Sequence, residues 1–556
     1  MYCKTEDNII KTEDLKFDCS QLGGVGKVAF QLMKKHGKKP AQILAETGEV
    51  DCFESLLERS IRIALALRKK GIKKGDIVTG CSSNHLNACV HILASFFIGA
   101  IPCSLDPTLS AFEFKQLIAQ VEPKIIFTVP ESLKIITESL REVDLQAEIV
   151  VFGEVKGYTS FEEFIQPQED ESSFEPIHID NPEETAIIYF SSGTSGFPKG
   201  VCLNHYYFFN HSPLVPPSYP SNSDIDEERR DYEMTIRKIG TCFLNYGSMY
   251  WGSAVQGLFL SIVIGMCRLV CSNFDALQFW ELVDKYKVSG TLLTPFQITQ
   301  LVKTGKPEHA HPQCLLRIIT GGSSLANTYF FALQDMLPNT DILQSYGQTE
   351  IGILAAFQIH NKSQREFYKL HPDTVGLPIK GVTYKVVDPN TDEILGPNRE
   401  GELRVKSKTV MNGYYNRSCA NRYDKDGWFR TGDVVKYDDN FYFYVVDRLK
   451  EMLKYRGWHI APAILELELS HHPAVKQSAV IGKPHDEDGD HPLAIIVLEE
   501  GHEGTTAKEI EEYIAGRVAE YQKLRGGVKF VKDIPLTPSG KIKRRELRRM
   551  VLDELR

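Results

Sequence analysis

The stretch Ser191-Ser192-Gly193-Thr194-Ser195-Gly196-Phe197-Pro198-Lys199-Gly200 is the most informative part of this chain. It follows an apolar run, residues 185–190, that predicts a buried strand. Three glycines, four hydroxyl residues and one lysine make a loop of little bulk, so backbone N–H groups can approach phosphate oxygens. The spacing is not that of a P-loop, and Pro198 stands where the helix of a P-loop would begin. The stretch therefore predicts a phosphate-binding loop of another type. A Gly/Ser surface linker is the alternative, which the flanking strand and Pro-Lys-Gly disfavour.

Further motifs follow the loop along the chain. They are Gly321-Gly322-Ser323, Gln344-Ser345-Tyr346-Gly347-Gln348-Thr349-Glu350, Glu400-Gly401-Glu402-Leu403, Gly427-Trp428-Phe429-Arg430-Thr431-Gly432-Asp433, Asp447-Arg448-Leu449-Lys450, Lys454-Tyr455-Arg456-Gly457 and Ser539-Gly540-Lys541. In order and spacing they resemble the signature motifs of the adenylate-forming superfamily, which holds acyl-CoA synthetases, peptide-synthetase adenylation domains and firefly luciferase. The resemblance covers roughly residues 20–550 and is greatest to the insect branch of luciferases and their acyl-CoA-ligase relatives.

Size and composition agree with a multidomain enzyme. The chain has 556 residues, of which 42% are hydrophobic, and this length predicts two or more domains. A net charge of −9 argues against a nucleic-acid binder. The twelve cysteines are scattered and predict reduced thiols, with neither a disulfide framework nor a zinc site. The N-terminal residues lack the apolar core of a signal peptide, and Glu554-Leu555-Arg556 differs from the Ser-Lys-Leu address, so we expect a cytoplasmic protein, with the peroxisome left open.

One segment invites a different interpretation. No charged residue occurs between Lys238 and Arg268, a length that could span a bilayer. The segment also contains glycines, an asparagine, a glutamine and several hydroxyl residues. We therefore predict a core strand, a substrate-lining turn and a buried helix, and no membrane span.

The distribution of periodicities predicts an α/β fold. Helix-like stretches at 53–70 and 86–98 alternate with strand-like stretches at 76–80 and 124–129, which indicates layered α/β sheets with largely parallel strands. Short strands at 383–387, 402–406 and 441–446 predict a β-rich subdomain. Helices at 463–469 and 507–521 and strands at 475–481 and 494–498 predict a small, mobile α+β C-terminal domain. The resemblance, rather than these patterns, sets the domains at 1–447 and 448–556.

The resemblance also implies a reaction in two steps. A substrate carboxylate attacks the α-phosphorus of ATP, which yields an acyl-adenylate and pyrophosphate, and the thiol of coenzyme A then displaces AMP. The implied cofactors are ATP, Mg²⁺ and coenzyme A, and the substrate is a small carboxylic acid. The alternative is a luciferase, in which O₂ instead of coenzyme A reacts with the adenylate.

Roles at the nucleotide follow from the same resemblance. Thr194, Ser195 and Lys199 would hold the β- and γ-phosphates, Thr349 would touch the α-phosphate, and Glu350 would ligate Mg²⁺. Asp433 would accept both ribose hydroxyls, with Arg448 at the same sugar, while Gly321 and Gly322 leave room for adenine and Tyr346 stacks on it. The other ATP-site candidates are Ser191, Ser192, Gly193, Gly196, Ser323, Gln344, Ser345 and Gly347.

Two lysines of the small domain would act in turn. Lys541 matches the catalytic lysine of adenylation, and Lys454 matches the lysine that faces the active site in a second conformation. The small domain would rotate about Lys450, so that each half-reaction has its own site. The alternative for Lys541 is a rim charge on the basic stretch 541–549, which predicts an exposed helix face.

The acyl pocket departs from the beetle luciferases. Where they carry His-His-Gly-Phe, this chain has Tyr250-Trp251-Gly252-Ser253, and His211 stands at their luciferin-site arginine. His459 stands where they usually have glutamine. These differences argue against beetle luciferin and predict an aromatic pocket for an acyl or aryl carboxylate. The same aromatic residues could instead belong to the core.

Overall fold

The computed structural model describes residues 3–13, 19–109, 111–191, 199–210, 242–357, 359, 362–455, 458–485, 487–536 and 541–553. The strands in these residues are β1 Cys3–Glu6, β2 Ile9–Thr12, β3 Pro40–Leu44, β4 Val50–Cys52, β5 Ile77–Cys81, β6 Ile101–Leu105, β7 Ile125–Thr128, β8 Glu148–Val151, β9 Thr159–Ser160, β10 Thr185–Ser191, β11 Lys199–Asn204, β12 Cys242–Asn245, β13 Cys267–Val270, β14 Val288–Leu292, β15 Arg317–Gly321, β16 Asp341–Gln348, β17 Gly352–Ala356, β18 Leu377–Pro378, β19 Val382–Val387, β20 Ile394–Leu395, β21 Gly401–Ser407, β22 Gly413–Tyr414, β23 Phe429–Tyr437, β24 Phe443–Arg448, β25 Leu453–Tyr455, β26 Trp458–Ile460, β27 Val475–His485, β28 Gly489–Leu498 and β29 Gly527–Phe530.

Helices alternate with these strands through the first two thirds of the chain. They are α1 Gly24–His36, α2 Phe53–Lys69, α3 Val90–Ile98, α4 Ala111–Val121, α5 Leu133–Glu142, α6 Phe161–Phe164, α7 Tyr206–Asn210, α8 Gly252–Ile264, α9 Ala276–Tyr286, α10 Pro295–Thr304, α11 Asn327–Met336, α12 Lys362–Leu370, α13 Pro462–Ser470, α14 Ala507–Ala515 and α15 Arg544–Asp553.

The strands form four sheets. The first has the order β22-β11-β10-β6-β5-β7-β8-β9 and the second β18-β17-β16-β15-β14-β12-β13-β3-β4, and both are parallel through their centres. The third, β1-β2-β19-β21-β23-β24 with β20 beside β19, is antiparallel. The fourth, β26-β25-β28-β27 with β29 beside β28, contains the strands after Arg448. The predicted α/β fold, with its β-rich part and C-terminal domain, is therefore confirmed.

Local sequence explains several boundaries. Thr294 caps α10 by accepting the N–H of Gln297 at 3.3 Å, and the Gln297 side chain accepts the N–H of Thr294. The predicted helix at 507–521 ends earlier, at Ala515, because Gly516 follows it. The predicted helix at 86–98 begins later, at Val90, since residues 86–89 form turns.

The uncharged segment folds as its polar residues predict. It supplies the buried strand β12, the turn at 246–251, the helix α8 and the start of β13, while residues 239–241 lie outside the described part. Gly265, with a φ of +70°, ends α8. Within the described residues, no helix combines the length and the hydropathy needed to cross a bilayer.

The chain passes from the third sheet to the fourth within five residues. β24 ends at Arg448, where it pairs with Asp433 of β23, and β25 begins at Leu453. The domain division at 447/448 stays a prediction, and this passage supplies the place where a hinge would lie.

A buried ion network supports the third sheet. Arg404 of β21 is buried, and its guanidinium contacts Glu402 at 2.8 Å, Asp392 at 2.7 Å and Asp424 at 3.3 Å. Burial opposes ionisation of Asp424, but hydrogen bonds from Lys385 and from backbone N–H groups lower the pKa of this carboxyl to about 2. The sheet that carries Asp433 therefore depends on paired charges in its interior.

Replacing Arg404 by methionine should lower the free energy of unfolding by ~3–5 kcal/mol, because it leaves Glu402 buried without its cation and removes one of the two cations that contact Asp424. Arg399→Met is the control. Arg399 pairs with Glu393 on the same sheet, but both side chains are more than half exposed, so its loss should change stability by ~0–1 kcal/mol. Urea denaturation followed by circular dichroism measures both. Equal losses in the two variants would contradict the assigned role.

Candidate active site

A cleft of about 2010 Å³ lies between the large domain and the C-terminal domain. Lys541, Lys543, Arg544, Arg548 and Arg549 line it from the C-terminal side. The predicted site residues that line it from the large domain are Gly322, Ser323, Gln344, Ser345, Tyr346, Gly347 and Asp433, and Arg448 lies at the predicted domain boundary. Acidic and basic side chains line the cleft in equal number, nine of each, so the net charge of the lining does not by itself select an anionic ligand.

The floor of the cleft is the edge of the second sheet where two parallel strands end. Gly321, the last residue of β15, pairs with Ser345 of β16. A Cβ atom at Gly321 would lie 2.5 Å from the Ser345 carbonyl oxygen, and Gly322 has a φ of +84°. Glycine is therefore required at the first position and favoured at the second, and together they expose a flat backbone surface. The resemblance implies that adenine binds at this surface.

Gly347 meets the same constraint on the other side of Tyr346. A Cβ atom there would lie 2.2 Å from the carbonyl oxygen of Gly352 in the neighbouring strand β17. Two residues of the motif use their side chains inside the fold. The Gln344 amide donates to the carbonyl of Pro372, and the Ser345 hydroxyl donates to the carbonyl of Thr320. These contacts hold the strand in place at the cleft, and the predicted roles of Gln344 and Ser345 toward ATP stay predictions.

Asp433 is the centre of a polar cluster. Its Oδ1 lies 2.9 Å from Nε of Arg448 on the paired strand, and its Oδ2 accepts a 2.6 Å hydrogen bond from the Tyr346 hydroxyl. The Gln348 amide also donates to Oδ2 and, at 2.8 Å, to the carbonyl of Thr431. Burial and the Asp433 charge raise the pKa of Tyr346, so this phenol keeps its proton and remains a donor. The cluster holds the Asp433 carboxylate in a fixed orientation at the cleft.

The phosphate-loop candidate is anchored at both ends. Ser191 closes β10, Lys199 opens β11, and the two residues pair in an antiparallel register. Ser192, Gly193, Thr194, Ser195 and Gly196 lie outside the described residues, so their predicted contacts stay predictions. This pairing places Ser191 next to Lys199, and the Ser191 hydroxyl contacts Glu350.

Glu350 and Lys199 share one aromatic neighbour. The hydroxyls of Tyr414 and Ser191 donate to Oε1 of Glu350 at 3.0 and 3.4 Å. The Lys199 ammonium lies 4.8 Å from the centre of the Tyr414 ring. Burial and the positive charges of Arg422 and Arg417 lower the pKa of Lys199, while Glu350 opposes this shift. Thr349 lies in the same turn as Glu350, directly after β16.

The two predicted catalytic lysines occupy different places. A Cβ atom at Gly322 would lie 3.9 Å from Cε of Lys541, so this lysine reaches from the C-terminal domain to the floor of the cleft. Loss of hydration there and the charge of Arg448 lower the pKa of Lys541, against the effect of Asp433 and Glu350. Lys454 is exposed on β25 and is absent from the described lining of the cleft. The structure thus unites Lys541 with the nucleotide-site residues and leaves Lys454 outside.

The predicted acyl pocket lies at the start of α8. Tyr250 is buried, with its ring centre 6.4 Å from that of Phe190 and 5.0 Å from that of Trp251. Trp251 is half-buried and contacts two separate core clusters. A Cβ atom at Gly252 would lie 3.2 Å from the Tyr189 ring, so a side chain at this position would need its neighbours to move. His211 lies outside the described residues.

The sequence analysis did not predict the contacts of four residues near the site, which are Gln348, Tyr414, Tyr189 and Tyr207. Gln348 belongs to a quoted motif, which was the available signal, whereas no motif points to Tyr414. Tyr189 and Tyr207 pack edge to face, 5.9 Å apart, behind Gly252. The Tyr189 hydroxyl is buried and has no hydrogen-bond partner among the described residues. A tyrosine inside the apolar run 185–190 was the only hint of this polar atom.

Comparisons with known proteins agree with this geometry. Residues 31–415 match the family model for the AMP-binding enzyme, and residues 465–541 match that for the AMP-binding enzyme C-terminal domain. The chain belongs to the AMP-binding enzyme family. The resemblance to adenylate-forming enzymes is thereby confirmed.

The relatives of the chain include luciferin monooxygenases and CoA ligases. A luciferin 4-monooxygenase of Photuris pensylvanica is 29% identical, over 91% of this chain and 91% of its own length. The 4-coumarate–CoA ligase 2 of Petroselinum crispum is 30% identical, over 93% of this chain and 92% of its own. The solved structure of a luciferase-like enzyme from the nonluminescent mealworm Zophobas morio is 31% identical, with a TM-score of 0.71 over 80% of this chain and 99% of that one.

Tyr346→Phe should raise the KM for ATP by about tenfold with little change in the KM for the acid. A hydrogen bond to a charged group contributes about 1.5–3 kcal/mol, and 1.4 kcal/mol corresponds to a factor of ten. Tyr444→Phe is a matched control, because it removes a 3.2 Å bond to Asp438 on the same sheet. Steady-state kinetics with both substrates varied gives the result. If only the KM for the acid rose, the assignment of Asp433 to the ribose of ATP would be contradicted.

Trp251→Ala should change which acids the enzyme prefers, since a half-buried tryptophan at the pocket leaves space for bulkier acids when truncated. Trp280→Ala is the control, because Trp280 is wholly buried in the core of the second sheet. Its loss should cost ~3–5 kcal/mol without changing the selectivity. Thermal melting and an acid panel separate the two effects. An unchanged acid profile with a large drop in Tm for Trp251→Ala would assign Trp251 to the core.

Proposed function

We propose that this enzyme is an ATP-dependent carboxylate–CoA ligase that works through an acyl-adenylate. The observation that carries the proposal is the position of Lys541 beside Gly322, within the influence of Asp433, Arg448 and Glu350. One ammonium from the small domain would thus stand between the ribose end and the phosphate end of the proposed nucleotide site. The 4-coumarate–CoA ligase relatives support a carboxylic acid as substrate and coenzyme A as acceptor.

In the first half-reaction, a carboxylate oxygen of the acid attacks the α-phosphorus of ATP, and the bond to the bridging oxygen of pyrophosphate breaks. Two anions meet in this step, so catalysis consists largely of alignment and charge neutralisation. Lys541 would neutralise the attacking carboxylate and the α-phosphate. Asp433 would hold the ribose hydroxyls, and Lys199 with the hydroxyls of the loop would hold the β- and γ-phosphates.

Glu350 is the residue that fits Mg²⁺. Its carboxylate is a hard oxygen donor, and the Ser191 hydroxyl beside it adds another oxygen. The charge of Glu350 acts on the pKa of Lys199, so the two side chains are close neighbours. A phosphate bound between them would have the Lys199 ammonium on one side and the Glu350 carboxylate on the other. Mg²⁺ bound there would neutralise phosphate charge.

In the second half-reaction, the thiol sulfur of coenzyme A attacks the acyl carbon, the bond from that carbon to the bridging anhydride oxygen breaks, AMP leaves with this oxygen, and the thiol proton passes to solvent. Lys454 would serve this step after the small domain rotates about Lys450. This rotation would break an ion pair between the large domain and the small domain. The pair joins Lys303 of α10 to Glu499 beside β28 at 2.5 Å. Both side chains are about one third exposed, so this pair contributes ~1 kcal/mol or less and would oppose the rotation only weakly.

The second candidate is a luciferase, which the luciferin 4-monooxygenase relatives favour. The first half-reaction is then the same, and O₂ takes the place of coenzyme A. One experiment separates the two. Protein, ATP and Mg²⁺ are combined with a panel of fatty and aromatic acids and with candidate luciferins, and thioester formation and light are recorded in parallel. Thioester in the presence of coenzyme A supports the ligase, and light without thioester supports the luciferase.

Lys541→Ala should slow pyrophosphate release by at least ~10²-fold, the order found when one preorganised charge is removed from a transition state. Thioester formation from preformed acyl-adenylate should change much less. Lys454→Ala should show the reverse pattern, because Lys454 lies outside the present cleft. Lys508→Ala, on an exposed face of α14, is the control. If Lys541→Ala or Lys454→Ala slowed both half-reactions equally, this result would contradict the assignment of one lysine to each step.

A further inference from the structure

The hairpin of β27 and β28 carries a cluster that the proposed reaction does not use. The two strands are joined by residues 486–488, of which 487 and 488 are described, and His485 pairs with Gly489 across the turn. His491 pairs with Lys483, two residues before His485, so both imidazoles belong to the same face of the hairpin. Asp488 in the turn lies between them.

Three ligand atoms converge in this cluster. Nε2 of His491 lies 2.8 Å from Oδ2 of Asp488, and Nδ1 of His485 lies 3.7 Å from the same oxygen. The two imidazole rings are stacked with their centres 4.2 Å apart. One ligand atom from each residue lies within 4.8 Å of the others, and the described part of the chain holds this one group of three His, Cys, Asp or Glu with that property.

The donor set suits a borderline divalent cation. Zn²⁺ binds histidine nitrogen and carboxylate oxygen at about 2.0–2.2 Å, which puts tetrahedral ligand atoms about 3.3 Å from one another. The separations of the two nitrogens from Oδ2 of Asp488, 2.8 and 3.7 Å, bracket this value. The imidazoles are stacked nearly parallel, so one ring must rotate out of the stack for both nitrogens to face a single ion. Asp488 and His491 are only 11% and 15% exposed, whereas His485 is 44% exposed and leaves the ion open to a water ligand.

A simple His–Asp ion pair is the competing explanation, and the second imidazole argues against it. The 2.8 Å contact between His491 and Asp488 is a hydrogen bond that carries one proton. An ion pair accounts for His491 alone, since Nδ1 of His485 lies 3.7 Å from the same oxygen, too far for a second hydrogen bond. A divalent cation takes the place of the shared proton and binds one nitrogen lone pair from each imidazole. It displaces the 2.8 Å hydrogen bond between His491 and Asp488 and the long 3.3 Å bond that the Asp488 N–H donates to His485 Nδ1.

We propose that His485, Asp488 and His491 form a binding site for Zn²⁺ or a similar divalent transition metal. The site lies on the C-terminal domain, away from Glu350. Its surroundings connect it to Lys454. The backbone of Gly489 packs against the Lys454 carbonyl, and Asp490 accepts the Lys454 N–H at 3.2 Å. An ion at the turn therefore fixes the hairpin on which the strand with Lys454 rests.

The test titrates full-length protein without a tag, stripped of metal, with Zn²⁺ in competition with a chromophoric chelator. The expected result is one equivalent bound. His485→Gln, His491→Gln and Asp488→Asn should each weaken binding by at least ~10-fold, since even indirect partners of metal ligands contribute 10–100-fold. His502→Gln is the matched control, because His502 is exposed in the same domain and should leave binding unchanged.

Two further measurements identify the ligands. Zn²⁺ should raise the Tm of the natural protein and of His502→Gln, but not that of His485→Gln or His491→Gln. Co²⁺ should give visible absorption without the near-ultraviolet band of a cobalt–thiolate bond, which distinguishes the cluster from the free cysteines. Absence of Zn²⁺ binding, equal binding by all variants, or a thiolate band would overturn the proposal. None of these measurements uses substrate, so they stand apart from the test of the ligase.

Discussion

The carboxylate of Asp433 joins three parts of the molecule at one point. It belongs to the third sheet, accepts hydrogen bonds from Tyr346 and Gln348 of the second sheet, and pairs with Arg448 at the last residue before the chain enters the fourth sheet. Removing such a charge from water costs several kcal/mol, and only a complete set of donors compensates for it. The same contacts therefore orient a ligand-binding group and fix the second sheet, the third sheet and the start of the hinge relative to one another.

The cations around the cleft repel one another in the absence of a ligand. Burial is the largest cause of the lowered pKa of both Lys199 and Lys541, and neighbouring cations add to it: Arg422 and Arg417 for the first, Arg448 for the second. An anion bound among them would satisfy all of these charges at once. Asp433 and Glu350 offset part of this repulsion, and the remaining positive charge favours a polyphosphate over a neutral ligand, in agreement with ATP as the proposed substrate.

Motif residues of the nucleotide site could be predicted because backbone geometry restricts them. Gly321 and Gly347 face carbonyl oxygens at distances that exclude any side chain, so the chain has no alternative to glycine there. The same constraint does not reach Tyr414 or Tyr189, whose contacts join segments far apart in sequence and follow no local pattern. The alternation of helix-like and strand-like stretches predicted the parallel sheets. The ends of helices were predicted less accurately, because they depend on single residues such as Gly516, which follows the last residue of α14. The acyl pocket was the least predictable, since aromatic residues in an uncharged segment suit a core and a pocket equally well.

One rigid arrangement cannot bring both lysines of the small domain to the same atoms. Lys541 reaches Gly322 from the segment before α15, while Lys454 is exposed on β25 and is held by its backbone to the hairpin of β27 and β28. The fourth sheet binds both segments into one body, so any motion that brings Lys454 to the cleft removes Lys541 from it. The passage between Arg448 and Leu453 and the weak Lys303–Glu499 pair make such a motion inexpensive. Under the proposed function, the order of the two half-reactions would follow from the fold, because the charge proposed for adenylation would leave the site as the charge proposed for thiolation enters.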